Sequence, residues 1–80
     1  MKTNDIKKGM RIRLANGWYG TMKDNMKGNT RLAEVEGDYT EMGSVYAHDI
    51  ILVEQNGAWI RVEHTDKQLE LKQRVAALGW

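Results

Sequence analysis

The chain has 80 residues, 41% of them hydrophobic and 29% charged, with no cysteine, no proline and a formal net charge of +1. That length allows one domain, and the composition is that of a folded globule rather than a disordered segment; the core must come from Ile, Leu, Val, Met and Trp, with no disulfide or thiolate metal site to staple it. No apolar run approaches the roughly 20 residues of a membrane span, and MKTNDIKKGM lacks the apolar centre of a secretory signal, so a cytoplasmic chain without membrane attachment is expected.

IKKGMRIRL opens with a glycine turn and then alternates: Met10, Ile12 and Leu14 on one side, Arg11 and Arg13 on the other. That is the period of a half-buried strand. Asn16-Gly17 suits a two-residue type I′ hairpin, in which both residues take positive φ. A second strand over 18–24 should then pair back, with Trp18, Gly20 and Met22 on one face and Tyr19, Thr21 and Lys23 on the other. Gly20 inside it suggests a bulge or bend. NMKGN is the next turn, and TRLAEVEG a third strand in which Ala33 and Val35 alternate with Leu32, Glu34 and Glu36; either Leu32 is exposed or a bulge shifts the register. GDYTEMG reads as a loop and SVYAHDI as a short strand running into a turn. IILVE and NGAWIRVE form a second hairpin around Asn56-Gly57, with Trp59, Arg61 and Glu63 alternating against Ala58, Ile60 and Val62. From Thr65 the period changes to that of a helix: Thr65 and Gln68 make a capping box, Leu71, Val75 and Leu78 form a stripe, and Gly79 closes it. Leu69, Ala76 and Trp80 would widen its contact with the strands.

About five short strands joined by glycine turns, followed by one helix, predict a mainly β fold: a small antiparallel barrel over 6–63 with a C-terminal helix over 65–79, all in one domain spanning 1–80. IKKGMRIRLANGWYGTMKD resembles the opening of KOW-type and other SH3-like barrels, where a Lys-Gly turn leads into a V-x-V strand and a glycine-containing second strand. Residues 6–63, with GSVYAHDI before the last hairpin, are similar to the small uncharacterised SH3-like proteins of bacteriophage and prophage genomes. The resemblance implies an SH3-like barrel and, for a phage-encoded protein, the host cytoplasm; it implies no activity.

The near-neutral total conceals a segregation. Residues 1–31 carry eight Lys or Arg against Asp5 and Asp24, whereas residues 32–63 carry Arg61 against Glu34, Glu36, Asp38, Glu41, Asp49, Glu54 and Glu63. Two readings are open at this level. Arg11, Arg13, Trp18, Tyr19, Lys23, Lys27 and Arg31 form a basic, aromatic hairpin of the kind that grips phosphates while stacking bases, with Lys27-Gly28-Asn29 offering backbone N–H groups as well. Alternatively, Arg11 and Arg13 pair across strands with Glu34 and Glu36, and opposite charges on neighbouring strands have no external partner. A net charge this low argues against a dedicated nucleic-acid domain.

Ser44, His48 and Asp49 are the residue types of a hydrolytic triad. Neighbours on a strand point to opposite faces, so His48 and Asp49 are not expected in line, and a partly exposed His48 bonded to backbone, with Asp49 capping a turn, is the simpler reading. His48 and His64 with scattered carboxylates lack metal-site spacing. We therefore expect a non-enzymatic binding module with no cofactor, of the phage or prophage accessory type, whose first-choice partner is a host or phage protein and whose second is a nucleic acid. The acidic stretch Glu34, Glu36, Asp38 and Glu41 would serve as a second charged face. Of Trp18, Trp59 and Trp80, at least one should lie at the surface, where Trp anchors interfaces. A monomer, or a weak homodimer formed by sheet extension, is expected.

Overall fold

Ile12 and Leu14 are buried while Arg11 and Arg13 are half-buried, so the alternation in RIRL makes a strand with one face in the core. The same period builds the rest of the sheet. The computed structural model describes residues 1–24 and 30–78, so the NMKGN turn with Lys27, and the helix end at Gly79 and Trp80, lie outside the described residues. The strands are β1 (Arg11–Leu14), β2 (Tyr19–Asp24), β3 (Thr30–Glu36), β4 (Thr40–Tyr46), β5 (Ile50–Gln55) and β6 (Ala58–Arg61), followed by helix α1 (Asp66–Ala77). Short 3-10 turns occupy Thr3–Asp5 and Ala47–Asp49.

All six strands belong to one antiparallel sheet in the order β4-β3-β2-β1-β5-β6. Laid flat, that order would hold β4 and β5 roughly 19 Å apart, at about 4.8 Å per neighbouring pair. The link from Tyr46 to Ile50 reaches at most about 14 Å even when extended, so the sheet must curl to bring its first edge round. Its C-terminal link lies against the first hairpin, where the Ala15 N–H donates to the Asp49 carbonyl at 2.8 Å. The curl stops short of the expected barrel: β4 and β6 remain edges and do not pair with each other. Inside it sit Ile6, Ile12, Leu14, Met22, Ala33, Val35, Ile50, Val53 and Val62, with Met10, Trp18 and Ile60 packed alongside.

The two Asn-Gly turns differ. Asn56 and Gly57 both have positive φ, 53° and 81°, and Gln55 pairs with Ala58, as a two-residue type I′ hairpin requires. At the first hairpin only Gly17 is left-handed, at 92°. Leu14 N–H donates to Trp18 C=O at 2.8 Å and Gly17 N–H to Leu14 C=O at 2.9 Å, which closes a three-residue loop instead of the expected two. The Asn16 carboxamide bends back to accept from the Trp18 N–H at 3.0 Å, satisfying the backbone as an Asx turn does.

Gly20 marks no bulge, contrary to the sequence expectation. It pairs in register with Ile12 and Val35, and the irregularity in the β2–β3 ladder falls between Met22 and Asp24. Its role is clearance, since a Cβ there would lie 3.1 Å from the Glu34 carbonyl and 3.4 Å from Ile12. GDYTEMG is likewise only half loop. Gly37–Tyr39 turn, and Thr40 onward is strand β4 in unbroken register with β3.

The capping box forms as expected: Gln68 N–H donates to Thr65 Oγ1 at 3.2 Å and Thr65 N–H to Gln68 Oε1 at 2.9 Å. The expected apolar docking of α1 is slight, however. Among its described residues only Gln68 is buried; Leu71 and Val75 are half-buried, and just beyond the helix Leu78 is 73% exposed. The helix rests against the Ala47–Asp49 turn.

Candidate functional site

Alternation sends Arg11, Arg13, Tyr19, Thr21, Glu34 and Glu36 to the outer face of the sheet, and pairing sets them in rows. One row runs Thr40, Glu36, Tyr19, Arg13, Leu52, Arg61 across all six strands. The next contains Met42, Glu34, Thr21 and Arg11. Cations and carboxylates are thereby interleaved, because the basic β1 lies only one strand, β2, away from the acidic β3.

The Arg11 guanidinium forks onto Glu36, Nη1 to Oε1 at 2.9 Å and Nη2 to Oε2 at 3.1 Å, and Nη1 also donates to Thr21 Oγ1 at 3.1 Å. This bidentate pair raises the Arg11 pKa, chiefly through the hydrogen bond to Glu36, and lowers that of Glu36 for the same reason. Arg11 is thus engaged across strands. Arg13 is placed differently: its guanidinium lies over the Tyr19 ring, 5.3 Å from the centroid. The Tyr19 ring in turn meets Trp59 at 5.7 Å with a tilt of 51°. Tyr19 and Trp59 are 37% and 41% exposed. Arg13, Tyr19 and Trp59, flanked in the rows by Leu52 and Arg61, form an aromatic and cationic patch on the outer face.

The remaining residues of the basic hairpin do not join this patch. Trp18 packs against the core and over Gly37, where a Cβ would overlap its ring, and it meets Tyr39 edge-on at 5.6 Å. Lys23 is half-buried at the register shift of β2. Arg31 is only 2% exposed, because it stands on the inner side of β3 with Ala33 and Val35. It donates to the Thr30 carbonyl at 2.9 Å and to Asn4 Oδ1 at 2.6 Å, which ties the N-terminal turn to β3, and burial lowers its pKa. Nor do the acidic residues gather on one face. Glu34 and Glu36 share the outer face with the arginines, Asp38 is in the β3–β4 turn, and Glu41 alternates to the other side of β4.

His48 is buried at 4% exposure, not partly exposed as the sequence reading expected, because it lies in the 3-10 turn beneath the Tyr46 ring, stacked at 4.9 Å and 11°. Its Nε2 is 3.6 Å from Asp49 Oδ1, beyond a hydrogen bond, and its Nδ1 is enclosed without a partner. The His–Asp hydrogen bond that orients a catalytic imidazole is therefore not formed. Burial lowers the His48 pKa; Asp49 opposes this and His64 and Lys72 add to it. The histidine bonded to backbone is His64, whose Nε2 meets the Ile50 carbonyl at 2.8 Å. An open depression of about 410 Å³ lies beside this turn, lined by Leu14, Ala15, Asn16, Ser44, Val45, Tyr46 and Asp49. Among the described residues no three His, Asp or Glu side chains cluster as metal ligands, and no helix is long and apolar enough to cross a membrane.

Trp59 is the residue the sequence reading left out of the site. Its signal was present, since it alternates outward with Arg61, but nothing local indicates that β6 brings it to Tyr19 on β2. No family model, curated protein or solved structure matches the chain.

Proposed function

We propose that the chain is a non-enzymatic binding module of SH3-like type, of the phage or prophage accessory kind, which engages a host or phage protein through the outer face of its sheet. The observation that carries this reading is the Arg13–Tyr19–Trp59 patch. Trp, Tyr and Arg dominate protein interfaces because they present large areas with few rotatable bonds and a polar handle. Here the rings already pack against each other, tilted by 51°, before any partner arrives, so little ordering is required on binding. The strand order, with β4 leading through a short turn back to β5 beside β1, supports the SH3-like part of the reading.

Nucleic acid is the second reading, and one observation favours it: an arginine over a tyrosine beside an exposed tryptophan is also what a stacked base would use. The rows weigh against it. Glu36 holds Arg11, Glu34 shares the face, and Arg31 is buried, so among the described residues two of the hairpin's arginines are already engaged and less able to release counterions from a phosphate chain. Tryptophan fluorescence during titration with single-stranded DNA, duplex DNA and RNA, at low and at physiological salt, separates the two. The protein-binding reading expects no saturable change at physiological salt. A saturable change that weakens steeply with salt and vanishes in Arg13→Glu would overturn it in favour of nucleic acid.

A further inference from the structure

The two edges of the sheet are treated differently. Beyond Arg61 at the β6 edge, the N-terminal residues are hydrogen-bonded on: Met1 N donates to the Arg61 carbonyl at 3.1 Å, Glu63 N–H donates to the Met1 carbonyl at 2.8 Å, and Lys2 bridges Glu63 in parallel. That edge strand is also short, at four residues. The β4 edge has seven residues in uninterrupted register with β3, and among the described residues no strand pairs with its other side. It carries no lysine, arginine or proline and a single carboxylate, Glu41. Folded proteins ordinarily blunt such an edge with charge, proline or a bulge, because its free N–H and C=O groups are a template for another strand.

We infer that the β4 edge is an interface for the β4 edge of a second copy of this chain, paired antiparallel about a two-fold axis at Gly43. Gly43 is the central residue of β4, so this register pairs all seven residues: Thr40 opposite Tyr46, Glu41 opposite Val45, Met42 opposite Ser44, and Gly43 opposite itself. Any other register pairs fewer. The arrangement also keeps like charges apart, since each Glu41 faces an uncharged valine; a two-fold shifted to Glu41 would set the two carboxylates against each other. Gly43 brings no side chain of its own to the axis, and the space above it is open among the described residues, where a Cβ would meet no atom within 4 Å.

The register also accounts for apolar side chains left open on the outer face. Leu32 is exposed beside Ser44, and Met42, 53% exposed, stands beside Glu34. Across the two-fold, Met42 of one copy lies next to Ser44 of the other, so only that small side chain separates it from the other copy's Leu32. The pairing extends two six-stranded sheets into one and leaves both Tyr19–Trp59 patches open. It is therefore independent of the partner assigned to those patches. An interface of two short strands is small, and association in the micromolar range or weaker is expected.

Sedimentation equilibrium from about 10 μM to about 1 mM tests the inference. The wild-type mass should climb from 9.2 kDa toward that of two chains. Met42→Lys/Ser44→Lys and Met42→Glu/Ser44→Glu alter only exposed positions, and circular dichroism verifies that they fold. Each places like charges opposite one another and should stay monomeric alone, while an equimolar mixture of the two should associate. A wild type that is monomeric throughout the range overturns the inference, as do like-charged variants that self-associate as the wild type does.

Discussion

At the scale of single residues, the outcome of a substitution depends on what the added or lost atoms would meet. Gly37→Ala drives a methyl into the Trp18 ring, whereas Gly43→Ala enters open space. Overpacking of the first kind costs about 1–3 kcal/mol, while the second should stay within about 0.5 kcal/mol; urea unfolding of the two variants should separate them by that margin. Arg31 follows the same logic despite its charge. Arg31→Ala strips Asn4 and the Thr30 carbonyl of a buried donor and should destabilise by about 1–3 kcal/mol. His48 supplies a pH dependence whose sign is fixed by its burial. Its folded pKa lies below the ordinary 6.5, so the unfolded chain binds the proton more readily. The His48 contribution is fully present above that value and is lost as pH falls through it toward the folded pKa. Burial sets the direction of the shift; of the charged groups nearby, Asp49 opposes it while His64 and Lys72 add to it. A series of urea midpoints between pH 8 and pH 5 should therefore decline toward acid, with a shallower slope in His48→Phe, which keeps a ring under Tyr46.

Among the elements, legibility followed how local the deciding physics was. The capping box at Thr65 and the type I′ turn at Asn56-Gly57 depend on neighbours in sequence, and both could be read directly. Asn16-Gly17 could not, because the choice of a three-residue loop depends on which residues of β1 and β2 pair, and the register is a property of the whole sheet. Asn56→Ala should cost about 1–2 kcal/mol, the penalty for a left-handed alanine, as measured by thermal or urea unfolding. Helix α1 misled for a related reason. Its stripe of Leu71, Val75 and Leu78 is regular, but the pattern does not report how much of the sheet is within reach, and the helix rests mainly on the Ala47–Asp49 turn, with its buried Gln68 meeting Thr3. Amide exchange in α1 should accordingly be faster than in β1, β2 and β3, since few apolar contacts hold it closed. Equal protection in helix and central strands would contradict this account.

For the whole molecule, the change of charge sign along the chain becomes an interleaving in space. Folding sets the acidic β3 on the far side of β2 from the basic β1, and the pair between Arg11 and Glu36, which reaches across β2, is the clearest product of that juxtaposition. The candidate site was legible to the extent of Arg13 and Tyr19, which alternate outward on adjacent strands. It was illegible in Trp59, which reaches Tyr19 only through the strand order, and in Arg31, whose inward position depends on the β3 register. The central claim is that the Arg13–Tyr19–Trp59 patch is where a partner protein binds. The most direct test is quantitative capture from a bacterial host lysate by the wild type, by Tyr19→Ala/Trp59→Ala, and by a control altered on the exposed side of α1 at Lys67→Ala. The account predicts a protein retained at stoichiometric level by the wild type and the control and lost from the patch variant. Equal retention by all three folded proteins would contradict it.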